Sequence, residues 1–153
     1  MKQPPLKDGF EFAQTGRTLP MALLRAREAV MERFRPMLLE HGVTEQQWRV
    51  LRVLQEAGER DATKLAAAAC ILAPSLTRIL KTLEANGLIA TKRDPGDRRR
   101  ALISLTREGN AFIRKVAPAS AAIYAELEES LGRERIETLL DELGSLLAKL
   151  ARR

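Results

Sequence analysis

The sequence predicts a mainly α-helical fold with one short two-stranded β-hairpin, built as a single domain. Three observations carry that expectation. Apolar residues recur at three- and four-residue steps along most of the chain. Residues 88–93 and 101–105 read instead as two strands, separated by a charged turn that contains Pro95 and Gly96. The chain has 153 residues, 45% hydrophobic and only 4% aromatic, which suffices for one core.

Residues 1–16 contain prolines and glycines without periodicity and are expected to form a flexible arm. From Arg17 a helix carries Leu19, Leu23, Leu24, Val30, Phe34, Met37 and Leu38 at helical spacing, and Pro36 is expected to bend its last turns. His41 and Gly42 end it, with glycine in the stop position. Thr44 and Gln47 form a capping-box signature for a helix with Trp48, Leu51 and Leu54 on one face. Asp61 caps a short helix over about residues 62–69. The next helix runs from about Ala73 to Asn86, with Pro74 tolerated in its first turn and Leu76, Ile79, Leu80 and Leu83 as its apolar stripe. After the hairpin, Thr106 caps a long helix bearing Phe112, Ile113, Val116, Ile123 and Leu127, bent at Pro118. Gly132 interrupts the pattern, and a leucine-rich helix follows to about residue 151.

Helix, short helix, helix and hairpin is the order of a winged helix-turn-helix, here over residues 44–105. Long helices flank it at residues 17–41 and 107–151. They hold more apolar surface than a winged unit needs to cover, so they are expected to form a dimer interface against a second copy. The alternative is a monomer that folds these helices back on itself.

Charge narrows the function. Lys and Arg number 26 against 20 Asp and Glu, a net of +6, which suits a polyanionic partner. The lone cysteine, Cys70, excludes a disulfide within the chain and is expected to pack as a small apolar residue between the two helices of the motif. The longest apolar run, residues 65–73, is nine residues, about half of the ~18 that a spanning helix needs. Pro4, Pro5, Asp8 and Glu11 interrupt the N-terminus where a signal peptide would be apolar, so a cytoplasmic protein with no membrane association is expected. One histidine, one cysteine, no glycine-rich phosphate loop and no metal motif leave few parts for an enzyme, and no cofactor or metal is expected.

Two segments suit DNA. On the helix from Ala73, residues Ser75, Arg78, Lys81 and Thr82 are expected to face outward near the amino end, where a recognition helix meets base edges. Arg78 suits a bidentate pair with guanine, and Ser75 suits a base or a phosphate. Residues 89–100 contain Lys92, Arg93, Arg98, Arg99 and Arg100 against Asp94 and Asp97, a net of +3, half of the excess charge of the chain. Arginines on a thin loop suit a narrow, electronegative minor groove. Asp97 is expected to pair with Arg99 and hold the loop in shape. An ordinary solvated charged face is the competing reading of either segment alone. Their adjacency favours DNA.

The stretches Leu76-Thr77-Arg78-Ile79-Leu80, Leu83-Glu84-Ala85-Asn86-Gly87-Leu88-Ile89, Asp94-Pro95-Gly96-Asp97-Arg98-Arg99 and Leu105-Thr106-Arg107-Glu108-Gly109 together resemble the MarR family of bacterial winged-helix regulators. The likeness covers roughly residues 17–150. It implies a homodimer built from the first and last helices and bound to a palindromic operator, with Pro74, Ser75, Arg78 and Lys81 of the recognition helix and Arg93, Asp97, Arg98, Arg99 and Arg100 of the wing at the DNA. The family's Asp-x-Arg wing pattern falls on Asp97 and Arg99. Residues 26–29, 34–36, 41–49 and 69–77 are similar to the subgroup that regulates homoprotocatechuate (hydroxyphenylacetate) breakdown operons. Related regulators with other aromatic effectors, such as hydroxynicotinates, are expected to share these stretches.

That likeness implies a repressor released by a small aromatic carboxylate. Such a ligand needs a cation, an apolar wall and a polar partner for its hydroxyl. Arg27, His41, Trp48 and Arg49 are the candidates at the junction of the flanking helices and the winged unit. Each also has a structural reading: Trp48 as core, His41 as a partner of the helix dipole, and the two arginines as ion-pair partners of Glu28 or Glu45. Two other functions compete: a basic interaction module for a protein or anionic surface, and a redox-sensing regulator that uses Cys70. Family members that sense oxidants place the cysteine on the first helix, not in this turn.

Overall fold

A computed structural model describes residues 17–151. The arm expected at residues 1–16 lies outside the described residues. The described chain forms α1 (Leu19–Glu40), α2 (Glu45–Ala57), β1 (Arg60–Asp61), α3 (Ala62–Ala69), α4 (Ala73–Ala85), β2 (Ile89–Arg93), β3 (Ala101–Leu105), α5 (Arg107–Leu131) and α6 (Arg133–Leu150).

Local side-chain caps set three of the six helix starts among the described residues. The Thr44 hydroxyl accepts from Gln47 N at 3.1 Å, and Thr44 N donates back to Gln47 Oε1 at 3.0 Å, which closes the expected capping box on α2. Asp61 Oδ1 accepts from Lys64 N at 2.8 Å and caps α3. Thr106 Oγ1 accepts from Gly109 N at 3.0 Å and caps α5. Each satisfies an amide that the helix itself leaves orphaned, typically worth about 1 kcal/mol.

The sheet contains a strand that the sequence did not announce. β1 pairs antiparallel with β3 through Arg60 opposite Ile103 and Asp61 opposite Leu102, giving the order β1-β3-β2. Two residues are too few to show periodicity. The pairing fastens the hairpin to the start of α3.

Two apolar clusters hold the elements. Val50, Leu51, Leu54, Leu65, Leu76, Leu83, Ile89 and Ile103 form the centre of the winged unit, joined by Ile113 of α5. Phe34, Met37, Leu38, Val43, Val116 and Leu127 join α1 to α5. Trp48 and Phe112 pack against both clusters, with ring centroids 6.4 Å apart. Trp48 is thus partly core, at the seam between the winged unit and the flanking helices.

The chain bends by 103° between α3 and α4, within the range of a helix-turn-helix. Cys70 makes that turn. It has φ 54° and ψ 49° and is exposed. The expectation of a packed cysteine is therefore corrected: a left-handed cap turns this side chain outward, while its neighbours Ala69 and Ile71 are buried. No residue of α6 is buried, and Leu139, Leu140, Leu147 and Leu150 stand exposed, as do Leu19, Leu23 and Leu24 of α1.

Candidate nucleic-acid interface and its adjoining cavity

Helix α4 sorts its residues by chemistry. Leu76, Ile79 and Leu83 are buried, while Pro74, Thr77, Arg78, Lys81 and Thr82 are exposed and Ser75 is half-buried. Thr82 Oγ1 donates back to Arg78 O at 3.3 Å, which turns that hydroxyl onto its own helix. Arg78 and Lys81 have no ion-pair partner among the described residues. Two unspent cations thus lie on the solvent side of the second helix of the motif.

The hairpin tip is held by its own aspartates. Asp94 Oδ1 accepts from Gly96 N at 2.9 Å, and Asp97 Oδ1 accepts from Arg99 N at 3.0 Å. Asp97 therefore shapes the loop as expected, but through the Arg99 backbone and not its guanidinium. Arg93 Nη1 donates to Arg98 O at 2.8 Å and braces the tip from below. Lys92 pairs with Glu59 at 3.3 Å. Arg100, expected at the groove, instead bonds Asp61 at 2.5 Å and lies 4.0 Å from Asp94. Proximity of β1 explains the difference, because it brings Asp61 beside the end of the hairpin. The Lys64 amide, with help from Arg100, holds the Asp61 carboxyl below its ordinary value. Only Arg98 and Arg99 leave the tip with guanidinium groups uncommitted among the described residues.

Behind the winged unit, α1, α2 and α5 enclose a cavity of about 270 Å³. Arg27, Trp48 and Arg49 line it, as the sequence suggested, together with Met31, Phe34, Glu45, Arg52, Ser120 and Tyr124. His41 does not reach it. Its Nδ1 lies 2.8 Å from Met37 O, where it serves the carboxyl end of α1. The Tyr124 ring lies tilted against Phe34, with centroids 4.9 Å apart, and supplies an aromatic wall that sequence reasoning missed. The available signal was Ser120 and Tyr124 four residues apart on one helix face.

The electrostatics of the cavity are built around Glu45. Arg27 pairs with it from one side, and Arg35 Nε donates to it at 3.2 Å from the other. Arg35 also makes a two-pronged bond to Glu28 at 2.8 and 2.9 Å. That bond lowers the Glu28 carboxyl and raises the Arg35 guanidinium from their ordinary values. Arg49 Nε is shielded from solvent without a hydrogen-bond partner, although its Nη1 reaches Cys70 O at 3.5 Å. An unmade bond of that kind costs free energy, and an anion in the cavity would relieve it.

A family model for MarR matches residues 43–101, the segment that holds the helix-turn-helix, β2 and the tip of the hairpin. The chain is 40% identical over 131 residues to the homoprotocatechuate degradative operon repressor of Escherichia coli, covering 86% of this chain and 88% of that protein. The chain belongs to the MarR family. It is therefore a DNA-binding transcriptional regulator and not an enzyme. Among solved structures, NadR in complex with 4-hydroxyphenylacetate is 40% identical with a TM-score of 0.76, covering 97% of this chain and 99% of that one. The repressor CouR bound to a 23-mer DNA duplex is 33% identical with a TM-score of 0.77, covering 97% and 100%. The expected fold, a winged helix-turn-helix between long flanking helices, is the fold these proteins share. Among the described residues no single helix is long and apolar enough to cross a membrane.

Proposed function

We propose that this MarR-family chain is a cytoplasmic homodimeric repressor that leaves a palindromic operator when a small aromatic carboxylate fills the cavity between α1, α2 and α5. The arrangement that carries the reading is the cavity itself: Arg49, whose Nε lacks a hydrogen-bond partner, lines it together with Arg27, Arg52 and the aromatic residues Trp48, Phe34 and Tyr124. Cations bind the carboxylate, rings cover the apolar faces, and Glu45 or Ser120 meets a ring hydroxyl. A volume of about 270 Å³ suits a single substituted ring such as a hydroxyphenylacetate or a hydroxynicotinate. The complex of the relative NadR with 4-hydroxyphenylacetate supports this ligand class.

The flanking helices, over residues 17–41 and 107–151, supply the dimer. Leucines left exposed on α1 and α6 become buried against the partner, which the hydrophobic effect favours. Two α4 helices then enter successive major grooves about one helical turn (~10 bp) apart, with Pro74, Ser75, Arg78 and Lys81 at the base edges and backbone. The wings, through Arg98 and Arg99, reach the flanking minor grooves, while Arg93, Asp97 and Arg100 keep each wing in shape. Trp48 links ligand to DNA, since it lines the cavity and packs on the core beneath α4. The ligand releases DNA to the extent that it prefers the spacing of recognition helices that the operator does not accept.

The test is binding of the full-length protein to its own upstream intergenic DNA, followed by titration with a panel of aromatic acids. Loss of the complex with a hydroxylated aromatic carboxylate, and retention with the matching neutral amide, is the expected result. Indifference of the complex to every acid would refute the effector.

A further inference from the structure

Within the winged unit, from Thr44 to Leu105, Leu72 is the one exposed large hydrophobic residue among those described, and it is 79% exposed. Its position is specific. Leu72 is the N-cap of α4, with extended φ −67° and ψ 143°, and it gives the helix no side-chain hydrogen bond. Ser, Thr, Asp and Asn are the residues favoured there, because a side-chain oxygen satisfies an orphaned amide. The helices α2, α3 and α5 of this same chain use Thr44, Asp61 and Thr106 in that way. On α4 the chain gives up that bond and exposes a four-carbon apolar group to water.

The other exposed large hydrophobics lie on the flanking helices, mostly on α1 and α6, where a second copy covers them. Leu72 lies apart from that surface, just ahead of Pro74, Ser75 and Arg78. We propose that Leu72 is a sequence-reading residue whose side chain packs on the 5-methyl group of a thymine in the major groove of each half-site. The proposal rests on the docking of α4 described above. Thymine is the one base that presents an apolar group in that groove, and short apolar side chains at the start of a recognition helix are suited to it. Contact there removes both the leucine and the methyl group from water.

The test starts from an operator selected by the full-length dimer out of a random duplex library. Each thymine in turn is then replaced by deoxyuridine, which lacks only the methyl group, and affinity is measured for wild type, Leu72→Ala and Leu72→Met. One thymine per half-site is expected whose methyl loss weakens wild-type binding about fourfold, the equivalent of about 0.8 kcal/mol for one methyl group. The same replacement should weaken Leu72→Met to a similar degree and leave Leu72→Ala unaffected. Equal methyl dependence in wild type and Leu72→Ala overturns the proposal. So does a change in solution mass on Leu72→Ala, which would assign the side chain to a contact between subunits. Arg78→Ala separates the two levels of the argument. If that variant keeps wild-type base preference, the docking itself fails; if it loses preference while methyl dependence is unchanged in Leu72→Ala, only the role of Leu72 fails.

Discussion

Arg100 reaches Asp61 across 39 residues of sequence and ties the end of the wing to the cap of α3 at 2.5 Å. One carboxylate thereby serves two elements, since the other Asp61 oxygen accepts from Lys64 N at 2.8 Å. The hairpin is fixed to the helix-turn-helix by this pair and by the two-residue pairing of β1 with β3.

Asp61→Asn separates the two duties. Asparagine caps a helix as well as aspartate does, so α3 survives while the ion pair with Arg100 is lost. Operator affinity should fall by the same factor in Asp61→Asn, in Arg100→Ala and in the double variant, because all three remove one tether. A loss confined to Arg100→Ala would make Arg100 a DNA contact instead. The pH dependence has a definite sign. The Asp61 carboxyl lies below its ordinary value of 3.8 in the folded chain. Its stabilisation is therefore present above that value and is lost as pH falls through the lower folded one. Acid unfolding followed by circular dichroism should accordingly show a shallower slope in this range for Asp61→Asn.

Arg78 and Arg99 should fail differently. Arg78→Ala is expected to cost about 1–3 kcal/mol and to relax preference at one base pair per half-site. Arg99→Ala should weaken binding most on operators whose flanking minor groove is narrow, leave the base preference read by α4 in place, and lower the salt slope by about 1 for each wing. Binding isotherms at several salt concentrations, on operator and on random duplex, distinguish the two patterns.

Gly109 sits in the first turn of α5, where helix propensity alone favours alanine. Here an added Cβ would lie 2.1 Å from the Leu88 carbonyl oxygen, which already accepts from Thr106 N at 3.1 Å. Gly109→Ala should therefore destabilise by about 1–3 kcal/mol, the usual cost of overpacking, where propensity predicts a gain. Urea denaturation reads the sign.

Cys70 holds a left-handed backbone in an exposed turn. Cys70→Gly should raise stability by up to about 1 kcal/mol, since glycine adopts φ 54° without the Cβ penalty. Operator affinity should be unchanged, and a thiol reagent should label the wild-type residue without denaturant. Release of the operator by an oxidant in wild type but not in Cys70→Gly would revive the redox reading.

The features that were legible in the sequence are local ones. Thr44 with Gln47, Asp61 before Ala62, and Thr106 before Gly109 announce their helices because each cap needs only three or four consecutive residues. The stripe of Leu76, Ile79 and Leu83 gives the inner face of α4, and with it the outer one. Side-chain partners across the fold were not legible. Arg100 was assigned by charge and position, but its partner depends on β1, whereas the structural reading of His41 needed only the last turn of α1 and is the one observed. Arg52, Ser120 and Tyr124 join the cavity only because α5 packs across α2, which no local pattern encodes. Cys70 was misread for the same reason: its exposure depends on the backbone of the turn and not on its chemistry.

The most direct measurement is equilibrium binding of the full-length protein to its own upstream intergenic DNA, against random duplex at matched salt, with the mass of the complex determined alongside. The account predicts two chains on each site and a preference of at least about 10³ over random duplex. One chain per site, or equal affinity for both duplexes, would contradict it.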